Sequence, residues 1–382
     1  MKVSVYTCSV SRRAGGLFDT VRDLYLSSVF QETDIKIYSY EDYATQLDLP
    51  TWKNIPIQLF ASKPFLYSRQ ARDTILLSKA DILHVHGLWR YPHAFIDTWK
   101  RYTGLPTVAT IQGMLDPYII EQQGKIKQYL GKWLFANRGF NAVTCFHALS
   151  MKEFEDIRAY GLKQPVAVIP NCINLPDKSI TYAKQDVKKH LLYLGRLHRK
   201  KGIDLLLEAV ASIKMEYPDI LEEWVIDIVG WDHEGFLKSL RNLVSRYQLE
   251  QLVTFHGGLF GNDKKRMYAN ANAYILPTHS EGMPMTVLEA WSYCLPVVMT
   301  PYCNIPEGFK YNAAIQIDNT VVSVKKGLLQ LFNMTDEERM QIGRNGRRLV
   351  EKQFIWDVSA EKMRRLYEWI HYKGEMPEFV YI

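Results

Sequence analysis

Ala273-Tyr-Ile-Leu-Pro-Thr-His-Ser-Glu281-Gly-Met-Pro-Met-Thr-Val-Leu-Glu289-Ala290 is the most informative stretch of the chain. It opens on a short apolar run that Pro277 ends, the mark of a buried strand. Polar residues follow, then an apolar pattern at helical spacing that runs through Glu289 to about Tyr293. Gly282 permits a tight turn, and Pro284 suits the first turn of a helix. The free N–H groups around Met285–Val287 then form an anion site at the helix N-terminus. Glu281 sits in the loop and Glu289 about one turn inside the helix, so the two carboxylates face one cleft at different depths. Carboxylates accept pairs of hydroxyl protons, as on a sugar or a ribose. Either glutamate alone reads as a cap or a solvated residue; the whole strand–loop–helix string reads as a site.

The same rhythm extends outward in both directions. Strands are expected at Lys2–Thr7, Ile35–Tyr40, Ile82–His86, Thr107–Ile111, Ala142–His147 and Val166–Ile169. A second series is expected at His190–Leu194, Trp224–Val229, Val253–His256, Ala273–Leu276, Pro296–Met299 and Ala314–Ile317. Helical patterns such as Leu17–Phe30, Ala94–Tyr102, Ile203–Tyr217 and Glu234–Tyr247 lie between them. Alternating strands and helices imply parallel βαβ units with right-handed crossovers. Two such series imply an α/β chain of two Rossmann-like doubly wound domains, with ligands at the carboxyl ends of the strands. Turn formers at Pro170–Asp177 and the polar run to Lys189 place the boundary there. The expected domains are residues 1–175 and 176–355, with the C-terminal helix of 356–382 joined to the first.

Three further motifs lie at expected strand ends. Leu194-Gly195-Arg196-Leu-His-Arg-Lys-Lys201-Gly202 follows the first strand of the second series. Gly195 lets the backbone turn, while Arg196 and Lys201 offer a planar fork and a mobile point charge to a diphosphate. Arg13-Ala-Gly15-Gly16-Leu17 opens a helix after the first strand and permits close backbone approach to a ligand. It is not a G-x-G-x-x-G fingerprint. His84-Val-His86-Gly-Leu-Trp89 ends another strand, with both histidines on one face. A lone histidine there is usually a satisfied core residue, and no further ligands at motif spacing support a metal. The adjacent strand ends in Gln112-Gly-Met-Leu-Asp-Pro-Tyr118, polar at the same edge.

These strings resemble a retaining GT-B glycosyltransferase of the large E-x7-E family (family 4-like, group 1). Glu281 and Glu289 carry that spacing, and Gly195-Arg196 with Lys201-Gly202 resembles the family's phosphate element. Gly15-Gly16 is similar to its glycine loop, and Pro170-Asn-Cys172-Ile-Asn174 to the P-N-G string that opens its C-terminal domain. The H-G-L-W and G-M-L-D-P-Y strings resemble members that build bacterial surface polysaccharides. The resemblance implies a nucleotide-diphosphate sugar, UDP- or GDP-linked, as donor and a glycan or lipid-linked glycan as acceptor. Arg196 and Lys201 would neutralise the diphosphate, Glu289 would hold the ribose, and Glu281 would touch the sugar. Gly282, Met283, Pro284, Met285 and Val287 would surround it, Gly15 and Gly16 would approach the distal phosphate, and Gly230 and Leu259 would border the base. His86 and Gln112 are candidates on the acceptor side. No metal or cofactor is expected, and no Asp-x-Asp occurs. Two departures stand out: Gln112 replaces a histidine, and Cys172 replaces a glycine, which removes the reason for a left-handed turn there.

Composition narrows the remaining classes. A net charge of +6 over 382 residues is mild and unclustered, which sets nucleic acid aside and leaves phosphates or an acidic lipid surface. Five cysteines without C-x-x-C spacing read as reduced thiols. With no apolar run of spanning length, the expectation is a cytoplasmic protein, at most peripheral to the inner face of a membrane. Gly124–Phe140 carries an apolar stripe rimmed by Lys125, Lys127, Lys132 and Arg138, a candidate for contact with anionic lipid. Competing readings are a GT-B epimerase or phosphorylase and a non-catalytic nucleotide-sugar binding protein.

Overall fold

The computed structural model describes residues 1–61, 66–88, 91–117, 137–176, 187–232 and 234–382. The chain divides into two compact units, Met1–Asn174 with Trp356–Ile382, and Leu175–Ile355.

The first unit is built on β1 (Lys2–Thr7), β2 (Asp34–Tyr40), β3 (Ile57–Phe60), β4 (Ile82–His86), β5 (Thr107–Thr110), β6 (Cys145–Ala148) and β7 (Val166–Val168). Their order is β3-β2-β1-β4-β5-β6-β7, all parallel, and the edge strand Val380–Tyr381 adds antiparallel to β7. Strand order reverses between β1 and β4, where Thr7 pairs with His86. Helices cover both faces, so β4 is buried along its whole length. Leu83 and Val85 join Ala109, Ile111, Phe146, Phe95, Trp99 and Ile157 in one core. His84 and His86 point to the opposite face and meet Tyr25 and Tyr367.

Tyr367 lies on the C-terminal helix Trp356–Tyr372, which packs within this unit. The same helix presents Ser359, whose hydroxyl donates to the Pro170 carbonyl at 2.8 Å. That leaves the Cys172 thiol to donate to Ser359 Oγ at 2.9 Å. Cys172 does not adopt positive φ, so its side chain anchors a helix at a position that needs no left-handed backbone.

The second unit contains β8 (Lys189–Leu194), β9 (Trp224–Val229), β10 (Val253–Gly257), β11 (Ala273–Leu276), β12 (Val297–Met299) and β13 (Ala314–Gln316). Their order is β10-β9-β8-β11-β12-β13, all parallel, with the reversal between β8 and β11. Trp291, on the helix Met285–Ser292, is fully buried, and its Nε1 donates to Ala313 O at 2.8 Å. Glycines make room for that indole: a Cβ on Gly346 would lie 2.2 Å from its Cδ1.

Most expected elements lie within a residue or two of the observed ones. The expected Ala142–His147 strand begins only at Cys145, because Asn137–Ala142 is helical. Two strands carry too little pattern to be read. Ile57–Phe60 is a four-residue edge strand buried at one position only, and Val380–Tyr381 has two residues. The basic stripe of Gly124–Phe140 lies outside the described residues except for 137–140. Among the described residues, no helix is long and apolar enough to cross a membrane.

Candidate functional site

In the second unit, β8 and β11 lie side by side where the strand order reverses, the usual ligand crevice of an open α/β sheet. Close backbone packing shapes this edge. A Cβ on Gly230 would stand 1.8 Å from the Gly195 carbonyl oxygen, and one on Gly202 2.0 Å from that of Pro277. Gly202 also has φ +67° as it begins the helix Ile203–Glu216. The loops are laced by Gly195 N–H to Val229 O at 3.0 Å, Gly230 N–H to Gly257 O at 2.8 Å and Leu197 N–H to Trp231 O at 3.0 Å.

Lys201, from the turn after β8, forms an ion pair with Glu281, from the loop after β11. Both side chains are nearly buried, at 12% and 10% exposure. Thr278 Oγ1 donates to Glu281 Oε1 at 3.1 Å, and Asn304 Nδ2 donates to the Glu281 carbonyl at 2.6 Å. Burial alone would raise the Glu281 carboxyl, but Lys201 and Lys200 hold it below the usual carboxylate range. Arg196 is exposed and makes no ion pair among the described residues, while its carbonyl accepts the Tyr193 hydroxyl at 2.9 Å. Lys201 is therefore already paired, whereas Arg196 stands exposed.

Glu289 lies on the helix Met285–Ser292, gripped by Lys264 Nζ at 2.6 Å and by the Tyr268 hydroxyl at 2.7 Å. Pro284 occupies the cap position rather than the first turn. Val287 is fully buried and its N–H bonds Pro284 O at 3.2 Å. Among the described residues, the open donors of this helix end are therefore the Met285 and Thr286 N–H groups. Gly282 stays out of the positive-φ region, and Met283 is buried. Beyond Gly230 and the half-buried Leu259, Trp231 and Phe260 stack at 6.0 Å with 20° between their planes. Both rings are partly exposed, at 38% and 44%.

In the first unit, the loop after β1 is held by acids from beyond β2. Ser9 and Ser11 donate to Asp42 at 2.7 and 2.8 Å, and Arg12 forks onto Asp48. Gly15 follows with φ +61°, and the helix Gly16–Leu26 begins; a Cβ on Gly16 would meet nothing within 4 Å.

The two histidines of β4 belong to a buried hydrogen-bonded chain. His147 Nε2 faces the Ile169 carbonyl at 2.9 Å, and a carbonyl only accepts, so Nε2 carries the proton. Nδ1 of a neutral ring must then accept, from the Thr110 hydroxyl at 2.8 Å. Thr110 Oγ1 in turn accepts His84 Nε2–H at 2.6 Å, which leaves His84 Nδ1 to accept the Tyr367 hydroxyl at 2.6 Å. Tyr25 joins Tyr367 at 2.8 Å and His86 Nε2 at 3.2 Å. Burial pushes His84 well below its ordinary value, His86 down to about 3 and His147 down to about 4, so the chain is built from neutral rings. Among the described residues, His86 Nδ1 is buried and has no hydrogen-bond partner. Gln112, beyond β5, has φ +57°, and its buried Nε2 likewise has no hydrogen-bond partner among the described residues.

The structure thus brings Lys201 to Glu281 and places Arg196, Gly195, Glu289, Gly230 and Leu259 on strand-end elements of one unit. His86, Gln112, Gly15 and Gly16 belong to the other. Sequence reasoning missed Lys264, Tyr268, Thr278 and Asn304. Lys264 and Tyr268 are one helical turn apart on Gly261–Asn270, but nothing in that spacing names Glu289 as their target.

Comparison with known proteins gives the family. Residues 31–176 match the model described as Glycosyltransferase Family 4, and residues 177–349 match Glycosyl transferases group 1. The chain is 26% identical over 237 residues to one component of the human phosphatidylinositol N-acetylglucosaminyltransferase, covering 62% of this chain and 48% of that protein. It is 28% identical over 172 residues to O-antigen chain mannosyltransferase B of Escherichia coli, covering 44% of this chain and 42% of that one. The chain spans less than half the length of either relative. The solved structure of Anabaena Alr3699/HepE in complex with UDP and glucose superposes with a TM-score of 0.78 at 15% identity, covering 96% of this chain and 99% of that one. Likeness at that identity shows the fold, which is GT-B. The two family matches abut at residue 176 and together run through residues 31–349, so the chain belongs to the glycosyltransferases.

Proposed function

We propose that this protein moves a sugar from a UDP- or GDP-linked donor to a glycan or lipid-linked glycan acceptor, with retention of anomeric configuration and without a metal, in surface-polysaccharide synthesis. The observation that carries the reading is the convergence of Arg196, Lys201, Glu281 and the open helix N-terminus at the β8/β11 reversal. Arg196 takes the diphosphate, and Lys201 swings from Glu281 toward the charge that grows on the leaving phosphate. The Met285 and Thr286 N–H groups add fixed dipoles. Such preorganised donors are usually the largest catalytic contribution. Release of Lys201 frees Glu281 to accept sugar hydroxyl protons, while Glu289, oriented by Lys264 and Tyr268, accepts those of the ribose. The exposed Trp231–Phe260 pair offers an aromatic face to the base. Gly15 and Gly16 admit a phosphate at the start of the helix Gly16–Leu26, and His86 and Gln112 serve the acceptor.

Retention is written as front-face return: the C–O bond to the diphosphate breaks, the acceptor oxygen bonds the same face, and the departing phosphate takes the acceptor proton. The reading places the protein in the cytoplasm, at the inner face of the membrane when the acceptor is lipid-linked. A panel of nucleotide sugars with and without glycan acceptors, read as nucleotide release, tests the donor. Proton NMR of the product gives the anomer, and an inverted product overturns retention. Loss of activity on treatment with EDTA overturns metal independence.

A further inference from the structure

Three adjacent strands of the second unit meet at one carboxylate. Asp227, on β9, accepts a hydrogen bond from His190 Nδ1 of β8 at 2.6 Å on one oxygen. Its other oxygen accepts from His256 Nε2 of β10, also at 2.6 Å. The Asp227 side chain is 7% exposed, so its charge depends on these partners. Burial alone would raise this carboxyl, but the two imidazoles hold it down at about 2. An ionised carboxylate only accepts, so His190 Nδ1 and His256 Nε2 both carry protons.

The two histidines are not equivalent. His190 stands at the start of β8, away from the ligand crevice, and its backbone N–H donates to Asn272 Oδ1 at 2.9 Å. His256 stands at the carboxyl end of β10, the edge strand of the sheet. There the register shifts: Phe255 pairs with Ile228 and Gly257 with Val229, which leaves His256 as an extra residue, a β-bulge. Apolar packing holds this end weakly, since Val253 is buried but His256 and Gly257 are exposed. The bond from His256 to Asp227 ties down what burial leaves loose.

The bulge leads directly into the crevice. Gly257 O accepts the Gly230 N–H at 2.8 Å, and a Cβ on Gly258 would lie 3.4 Å from Trp231 Cβ. Two residues further on, Phe260 stacks against Trp231. Bulges beside ligand sites re-aim the side chains that follow them. We propose that His256 is a positioning residue: gripped by Asp227, it fixes the β10 bulge and so sets the Trp231–Phe260 aromatic face at the strand ends. The inference rests on the proposed transfer only in giving that face a nucleobase to bind.

The test compares His256→Ala, His256→Phe and His256→Gln in the full chain. Alanine and phenylalanine lack the N–H, whereas glutamine restores a side-chain donor. The first readout is 15N–1H NMR without ligand, following the Gly258 amide and the Trp231 indole, the latter assigned with Trp231→Phe. Both resonances are expected to shift in the alanine and phenylalanine variants and to stay near wild type in His256→Gln. The second readout is steady-state kinetics: losing a hydrogen bond to a charged group is expected to raise donor KM about tenfold with kcat within about twofold, and glutamine to restore KM. A role in stability alone would not split KM from kcat. Unmoved resonances or an unchanged donor KM in His256→Phe, or a glutamine variant that behaves like alanine, overturns the proposal. Should His256→Ala fail to fold, His256→Phe decides. The resonances require no catalysis, so a wild-type chain inactive toward nucleotide sugars whose Trp231 signal moves in His256→Phe refutes the transfer and keeps the anchor. An active chain with a fixed Trp231 signal does the reverse.

Discussion

Lys201 and Glu281 form a nearly buried ion pair across eighty residues of sequence, joining the turn after β8 to the loop after β11. Removing one partner strands the other charge away from water, at a cost of about 3 kcal/mol. Glu281→Ala is expected to lose that much in urea unfolding, and the double change Lys201→Met with Glu281→Leu to regain most of it. Glu281 is held below its unfolded value, so its contribution is complete above about pH 4.3 and is lost as pH falls through the folded value. Both variants are expected to lose transfer, because the pair also supplies the reacting groups.

Arg196 separates activity from stability. It is exposed and has no ion pair among the described residues, so Arg196→Ala is expected to change stability by less than about 0.5 kcal/mol. Loss of a donor aimed at developing charge costs about 100-fold in kcat. Urea unfolding and steady-state kinetics on the same preparation check both halves.

Two glycines make an opposed pair. Gly230→Ala would drive a methyl into the Gly195 carbonyl, so a large loss of Tm is expected. Gly16→Ala places its methyl in open space, and Gly16 does not take positive φ. Its Tm is expected to stay unchanged, so a fall in donor affinity reports a ligand phosphate that approaches the backbone. Unchanged affinity would remove Gly16 from the site.

The histidine chain predicts acid sensitivity in the first unit. His84, His86 and His147 are neutral when folded, and each unfolds to a ring of pKa about 6.5. Stability is full above about 6.5 and falls below it, because the unfolded state binds the protons. At pH 5 each ring costs on the order of 2 kcal/mol. Thr110→Val removes the hydroxyl between two of the rings and is expected to cost about 2 kcal/mol at neutral pH. Urea unfolding at several pH values measures both.

Tyr268→Phe keeps the ring but frees one oxygen of Glu289. The hydrogen bond goes to a carboxylate, and its loss is worth about 1.5 kcal/mol, or roughly tenfold in donor KM. Unchanged donor KM would separate Glu289 from the nucleotide.

Much of this was legible in residue order because its causes are local. Apolar runs closed by Pro277 or Gly195 specify strands, and turn chemistry specifies strand-end loops. Alternation within His84-Val-His86 sets both histidines on one face. Parallel strands then oblige those loops to gather at one sheet edge, so Arg196, Lys201, Glu281 and Glu289 could be named from spacing. Pairing could not be named, because it depends on which strands become neighbours. Lys201 reaches Glu281 only because β8 lies against β11, and Lys264 and Tyr268 reach Glu289 only through helix packing. The tautomers of His84 and His147 follow from a carbonyl on a distant strand end. Residue order by itself determined the elements and the edge where the chemistry lies; tertiary structure decided which charges meet and which polar atoms lose water, since both depend on distance through space.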